Sequence, residues 1–398
     1  MMYTAVALVK SGIGKNDRHN REKGGAAVPY EPSGPTARSG SETSSGRGRP
    51  PVPPQPPAPQ QAATPRKVTI RDVAARAKVS ISTVSHALSG RRPISPETRE
   101  RVLAAAAELG YGANPLARSL RTGRSNMVGL ILRPRDAVHG SLAGTETFTR
   151  LAGAVATAVL EHRMGLVHVP DLLDPTTERV PMDGCLVAHP YGDDDVLREL
   201  LRRGVPVVTI EEDPDYPDLP WSVTLDHISA VTELLDRLRG QGARRILLLT
   251  GTEDNAWNRR SRQAYLAWME HRRMRPWHLE LYEGEGVEGA AQLIEPILAG
   301  AEPPDAIIAA ASRFAAGIGR TAQKLGLSIP ADLMIAALTD SEYTRSHQPP
   351  ITAVDLILER LAITSVDLLL RRLAGEPPPA HPIQLRPELR WRQSTMRR

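Results

Sequence analysis

The stretch KVTIRDVAARAKVSISTVSHALSG, residues 67–90, with its continuation RRPISPETRERVLAAAAELG, residues 91–110, decides how the chain begins to fold. Thr69 stands ahead of an apolar-periodic run as a helix N-cap, and Asp72 follows three residues later, as in a capping box. Ile70, Val73, Ala74 and Ala77 recur at helical spacing and predict a buried stripe. Lys78-Val79 makes a tight turn, Ser80 caps a second helix, and Val84, Ala87 and Leu88 face inward. Ser95-Pro96-Glu97 opens a third helix with a cap, a proline at the first helical position and an acid in the first turn. Its stripe is Val102, Ala105, Ala106 and Leu109, and Gly110 ends it. Two short capped helices joined by a turn of a few residues make a helix-turn-helix. A three-helix bundle without a DNA role has the same outline, so the pattern alone leaves both readings open.

Charge is distributed unevenly around this stretch. Residues 66–126 hold 12 Lys/Arg against 4 Asp/Glu, whereas residues 127–398 hold 30 against 37. A basic segment attracts phosphate backbones, and a mildly acidic remainder limits how far the whole molecule adheres to nucleic acid. Residues 1–65 carry 11 of the 35 prolines and 8 of the 31 glycines and read as a disordered tail, with PPVPPQPPAPQQAATP (50–65) as an extended spacer. Within it GRGRPP (46–51) has the core of an AT-hook, with Arg47 and Arg49 for an A/T-rich minor groove; a plain basic linker is the competing reading. Nothing at the amino end reads as a signal peptide, and no apolar run reaches the ~20 residues that span a bilayer. Cys185 is the single cysteine, which excludes an internal disulfide and a cysteine-cluster metal site. These features together predict a cytoplasmic protein with no membrane partner.

Asn114-Pro115 leads a short helical segment, Leu116 to Arg121, within a connection over residues 113–126. From Met127 the pattern changes. Apolar β-rich runs (127–132, 165–169, 184–188, 206–210, 245–250, 306–310 and 333–338) alternate with amphipathic helices at 146–162, 194–203, 228–239, 257–271, 289–299, 314–325 and 356–373. This alternation predicts an α/β body over residues 127–395, built as two doubly wound subdomains of seven strands in all, with a cleft at the strand carboxyl ends.

The segments 67–90 and 94–125 resemble the head of the lactose-repressor (LacI/GalR) family: a three-helix head over 66–112, an Asn-Pro-led hinge, then a strand opening with MVGLIL. The likeness continues through PDAIIAAASRFAAGIGRTAQKLGLSIPADLMIAALTD (304–340), PPITAV (349–354) and LRPELRWRQST (385–395). It implies a head and hinge followed by a body like type I periplasmic-binding proteins. It also implies a sequence-specific transcriptional regulator, a repressor, that binds a palindromic operator in double-stranded DNA as a homodimer and responds to a small-molecule effector. In the family the second helix enters the major groove. That carries over Ile81, Ser82 and His86 to base edges, Ser80, Thr83 and Ser85 to phosphates, and Leu120 to the minor groove as an apolar wedge with Ala117 beside the partner hinge; Thr69 and Asn114 are also expected at the DNA. His86 stands where arginine is common, so the operator sequence is expected to differ.

The effector positions depart from the family. Asp340 aligns with an acid that takes sugar hydroxyls. Ser312-Arg313 replaces the usual Asn-Asp pair, Arg260 and Arg262 flank the place of the usual pocket arginine, and Asp226-His227 replaces an Asp-Asn dyad. The expected ligand is a sugar or sugar derivative, and Arg313 with Arg260 or Arg262 would suit an anion. GEGVEG (284–289) matches the letters of a dinucleotide loop, but Glu285 and Glu288 would face the pyrophosphate, and a plain turn is the better reading. No metal-ligand spacing and no Ser-His-acid set stands out. No cofactor is implied and no enzyme is expected. Two readings compete with an effector-controlled regulator: a regulator whose body has lost its ligand, and a small-molecule binding protein without a DNA role.

Overall fold

The computed structural model describes residues 68–89, 92–111, 124–133, 146–169, 172–173 and 180–397. The proline-rich tail, the AT-hook-like segment and the hinge residues Asn114, Ala117 and Leu120 lie outside the described residues. The chain forms two compact units, a head and a body.

The head holds three helices, α1 (Ile70–Ala77), α2 (Ile81–Ser89) and α3 (Pro96–Glu108). The Asp72 carboxylate accepts both the backbone N–H and the hydroxyl of Thr69, at 2.7 Å each, which fixes the start of α1. Lys78 ends α1 in the left-handed conformation, with φ 56°, and so sets the turn into α2. Ser80 Oγ accepts the Thr83 N–H at 3.1 Å, and Ser95 Oγ accepts the Thr98 N–H at 3.3 Å. The core is small: Val73, Ala77, Val84, Ala87, Val102 and Ala105 are buried where the three helices meet. Alanine at half of these positions lets short helices approach closely.

The body contains two six-stranded sheets. The first has the order β11 (Ile383–Leu385), β5 (Ser222–Leu225), β4 (Val207–Ile210), β3 (Gly184–Ala188), β1 (Met127–Leu132), β2 (Gly165–His168). The second runs β12 (Glu388–Arg390), β10 (Thr352–Asp355), β9 (Met334–Ala337), β8 (Ala306–Ala309), β6 (Ile246–Thr250), β7 (Trp277–Glu280). All pairings are parallel except β12 against β10. The helices between strands are α4 (Glu146–Glu161), α5 (Asp195–Arg202), α6 (His227–Gly240), α7 (Ala256–His271), α8 (Gly286–Leu298), α9 (Ser312–Lys324), α10 (Glu342–Arg345) and α11 (Leu358–Leu373). Both sheets are covered on both faces. Leu186 and Ala188 of β3 join one core and Cys185 and Val187 another; Ile246 and Leu248 of β6 divide from Leu247 and Leu249 in the same way.

Seven strands were expected from the sequence and the described residues hold twelve. The five additional strands lack an apolar run. β5 is fully buried yet carries Ser222 and Thr224; the Ser222 hydroxyl bonds that of Thr209 on β4 at 2.6 Å, which satisfies both inside the core. Strands β7, β11 and β12 have three or four residues each and sit at sheet edges. Strand β10 opens with buried Thr352, whose hydroxyl meets that of Thr395 at 2.7 Å.

The chain passes from one sheet to the other three times, between Leu225 and His227, between Asp355 and Leu358, and between Leu385 and Glu388. These three short links are the only chain segments that join the two subdomains among the described residues, and the cleft opens beside them.

Candidate DNA-binding head and effector cleft

On α2, Val84 and Ala87 point into the head core, and the opposite side of the helix stays open. Ser80, Ile81 and Ser82 are exposed, Ile81 at 46%, and Ser85 and His86 are half-buried on the same side. The Ser80 hydroxyl lies 2.7 Å from that of Ser82 and 2.8 Å from that of Thr83, so three hydroxyls cluster at the start of the helix. Ser80 thus caps the helix and presents a hydroxyl at once. Thr69, also exposed, gives its side chain to Asp72. The arrangement offers a short helix with a polar leading face and one apolar tip.

In the body, an open cavity lies at the carboxyl ends of the strands. Its lining comes from Glu146, Thr147 and Phe148 at the start of α4, His189 after β3, and His227 at the first crossover. Glu253, Asn255 and Trp257 follow β6, Glu283 follows β7, and Ala311, Ser312 and Arg313 follow β8. Thr339, Ser341 and Tyr343 follow β9, and Leu356 follows β10. Residues of both subdomains therefore face one space, with the crossovers at its back.

The polar groups of this lining differ in how they are engaged. Glu283, buried, accepts from Thr252 N and Oγ1, from Glu253 N and from Asn258 Nδ2 at 2.9–3.3 Å. Glu146 accepts from Arg345 at 2.6 Å and from Glu342 N at 2.7 Å. Ser341 donates to Ser312 at 2.7 Å, and Thr339 Oγ1 accepts the Ser312 N–H at 2.9 Å. His189 packs edge-on against Phe148, ring centroids 5.4 Å apart. Burial pushes the His189 imidazole below its ordinary value against the nearby Glu211 carboxylate, so the ring is neutral at pH 7.

The sequence pattern of bacterial regulatory proteins of the lacI family matches residues 69–114, and that of the periplasmic binding protein-like domain matches residues 235–395. The HTH-type transcriptional regulator PtxS of Pseudomonas putida is 30% identical over 355 residues, which span 84% of this chain and 98% of that protein. The chain belongs to the lacI family. Catabolite control protein A of Priestia megaterium is 25% identical over 72% of this chain and 87% of its own length. The fold matches a Lac repressor dimer bound to operator and the anti-inducer ONPF, with a TM-score of 0.70 at 24% identity, over 83% of this chain and all of that one. As a family member the protein is a DNA-binding transcriptional regulator, with a helix-turn-helix and an effector-binding type of body.

Family membership does not carry all of the expected effector residues into the cleft. Ser312 and Arg313 line it. Asp340 does not: Arg392 holds its carboxylate through both terminal nitrogens at 2.8 Å, and Thr344 donates its hydroxyl to the same group. Burial raises that carboxyl and these partners, with Arg345 nearby, more than offset it and hold it below the usual range. An acid so filled has little left for sugar hydroxyls. Arg260 pairs with Glu212 at 2.6 Å and Arg262 with Glu280 at 2.8 Å, both outside the cleft lining. Asp226 caps α6 by accepting the Ser229 N–H at 3.0 Å, and its neighbour His227 is the one that faces the cavity. The segment 284–289 holds the end of the 3-10 turn Glu283–Glu285 and the first four residues of α8.

Sequence reasoning missed His189, Glu211 and Trp257 altogether. Each directly follows a strand or opens the helix after one, the positions where ligands gather in parallel sheets. That placement was the available signal, but two of the residues sit in loops without a motif.

Proposed function

We propose that this regulator binds an operator of two-fold symmetry as a homodimer, represses from it, and has its operator affinity shifted by a small molecule in the body cleft. In this reading residues 66–112 are the head, 113–126 the hinge and 127–395 the effector-binding and dimerisation body. The observation that carries it is the open face of α2: an exposed leading turn with Ser80, Ile81 and Ser82, followed by Ser85 and His86, in a segment of 12 Lys/Arg against 4 Asp/Glu. Ile81, Ser82 and His86 read bases, Thr69, Ser80, Thr83 and Ser85 bind phosphates, and Asn114, Ala117 and Leu120 engage the minor groove. The cleft with Ser312 and Arg313 supports the effector role, and so do relatives seen with DNA or ligand: a Lac repressor dimer on operator, and a CelR–cellobiose complex with a TM-score of 0.57. No catalytic step belongs to this reading, and the protein works in the cytoplasm, where its DNA is.

The experiment is footprinting of the full chain on the promoter of its own gene, with light scattering for the assembly. A protected inverted repeat, bound by a dimer with affinity falling steeply with salt, is the expected result. A protected site without inverted symmetry, or a salt-independent affinity, overturns it.

A further inference from the structure

We propose that the cleft ligand is a hydroxylated organic anion whose carboxylate or phosphate seats against Arg313 and the amino end of α9; this rests on the cleft being the effector site. The support is an inventory of which polar groups in the cleft are already engaged. Each acceptor already takes at least one donor. Glu283 takes four distinct donors, Glu146 takes Arg345 and the Glu342 N–H, and Glu253 takes the Tyr191 hydroxyl at 2.9 Å. Asn255 Oδ1 accepts the Asn258 N–H at 3.0 Å, and Thr339 Oγ1 accepts from Ser312 N.

Several nitrogens of the lining are not engaged. Arg313 is half-buried, faces the cavity, and forms no hydrogen bond or ion pair among the described residues. Trp257 Nε1 and His189 Nε2 are buried without a hydrogen-bond partner, and His189 as a whole is only 9% exposed. Ala311, the N-cap residue of α9, has no capping side chain; Thr339 Oγ1 takes the Ser312 N–H, and the positive end of a 13-residue helix dipole lies at the same wall. A half-buried guanidinium without an acid, in one cavity lining with an indole N–H and an imidazole nitrogen that have no partner, is costly unless a ligand completes it.

An acidic group does so. It meets the planar fork of Arg313 bidentately and accepts from further donors nearby. Glu146, with two donors on its carboxylate, keeps lone pairs that suit a hydroxyl donor at the other side of the molecule. Phe148, Trp257, Tyr343 and Leu356 supply apolar surface for its carbon skeleton. The hydroxyls of a neutral sugar could accept from these donors too, but they would leave the guanidinium charge without a counter-ion.

The test is thermal stability of the full chain with D-gluconate, D-galacturonate and D-glucose 6-phosphate, each against neutral D-glucose or D-galactose, at equal ionic strength. Wild type and Arg313→Gln and Trp257→Phe variants are compared, with operator binding measured in parallel. The expected result is stabilisation by at least one anion and by neither neutral sugar. The sugar acids and the sugar phosphate separate the two sources of the acidic group. Arg313→Gln should lower the affinity for that anion roughly tenfold or more, as loss of a charged bidentate contact does. Its unliganded melting temperature should match wild type, because no internal partner is lost. Stabilisation by a neutral sugar equal to that of its acid, or stabilisation that survives Arg313→Gln, overturns the charge assignment and leaves the effector site standing. Stabilisation by none of the five, with the operator still bound, overturns the anion and the effector reading together.

Discussion

Glu211 and His227 meet at 3.1 Å, carboxylate Oε1 to imidazole Nε2, where the chain first crosses from one sheet to the other. Glu211 is 1% exposed and His227 5%, and the second carboxylate oxygen accepts the Leu225 N–H at 3.4 Å from the last residue of β5. One buried acid thus holds both ends of the link Leu225-Asp226-His227. His227 also lines the cleft, so the cavity and the crossover share a wall. This link is one of the three that movement of one subdomain against the other has to pass through, so in the proposed function a ligand in the cleft has a route to bias two arrangements.

Removing that acid strands two buried donors. Glu211→Ala is expected to destabilise the body by about 1–3 kcal/mol for each donor left unsatisfied, and Glu211→Gln by less, since an amide oxygen can still accept. All five tryptophans lie in the body, so denaturation followed by tryptophan fluorescence reports on this unit. Equal midpoints for Glu211→Ala and wild type would mean that the pair does not support the fold.

His189 gives the body a pH dependence. Its folded-state value is depressed by burial, against the raising effect of Glu211, while the unfolded chain takes the proton near 6.5. Stability from this group is therefore full above pH 6.5 and declines as pH falls below it. Glu211 acts with the same sign lower down: burial pushes its carboxyl up, but His227, His189 and the Leu225 N–H hold it below 4.5, so its contribution is lost in stronger acid. Between about pH 7 and 5.5 the unfolding free energy should fall by up to about 1.4 kcal/mol per pH unit, and His189→Gln should flatten that slope. An unchanged slope in the variant would assign the acid sensitivity to other groups.

Asp340 and Arg392 form an ion pair that ties the end of the chain to the second sheet. Arg392 comes from the segment after β12 and ties it to the end of β9, while its Nη1 also donates to the Ile351 carbonyl at 2.8 Å. Asp340→Ala should lower stability by about 1.5–3 kcal/mol, the range for hydrogen bonds to charged groups. It should leave the affinity for a cleft ligand near wild type. A variant of normal stability that no longer responds to ligand would restore Asp340 to the effector site.

Much of the fold was legible because burial imposes periodicity. The strands that the sequence declared, such as GCLVA at 184–188 and AIIAA at 306–310, are buried on both faces and must be apolar throughout. The capped helices of the head declared themselves through Thr69, Ser80 and Ser95. What was hidden depends on pairing across the chain. Ser222 reads as a loop residue until Thr209 stands opposite, and Asp340 reads as a ligand acid until Arg392, 52 residues later, reaches it. His189 and Glu211, each at a positive φ just past a strand, have no sequence pattern that would single them out.

The open face of α2 makes the operator preference testable residue by residue. Ile81 and His86 take no part in the buried core formed by Val73, Ala77, Val84, Ala87, Val102 and Ala105, so replacing either should leave the head folded. Ile81, 46% exposed at the first turn, has no polar atom on its side chain and can reach only an apolar base feature, the thymine methyl. His86, five residues further along the helix, would in the proposed docking turn its ring toward a base edge. Each substitution to alanine should therefore relax preference at one position in each half-site, with a loss of roughly 1–3 kcal/mol for His86 and less for Ile81. A phosphate contact would behave differently: binding would weaken by a similar factor on every sequence, and the salt dependence would become shallower. Affinities on a set of operators carrying every single base change, measured for wild type and both variants, separate the two cases. Uniform weakening in His86→Ala would place His86 on the backbone and leave base reading to Ile81, Ser82 and the hinge.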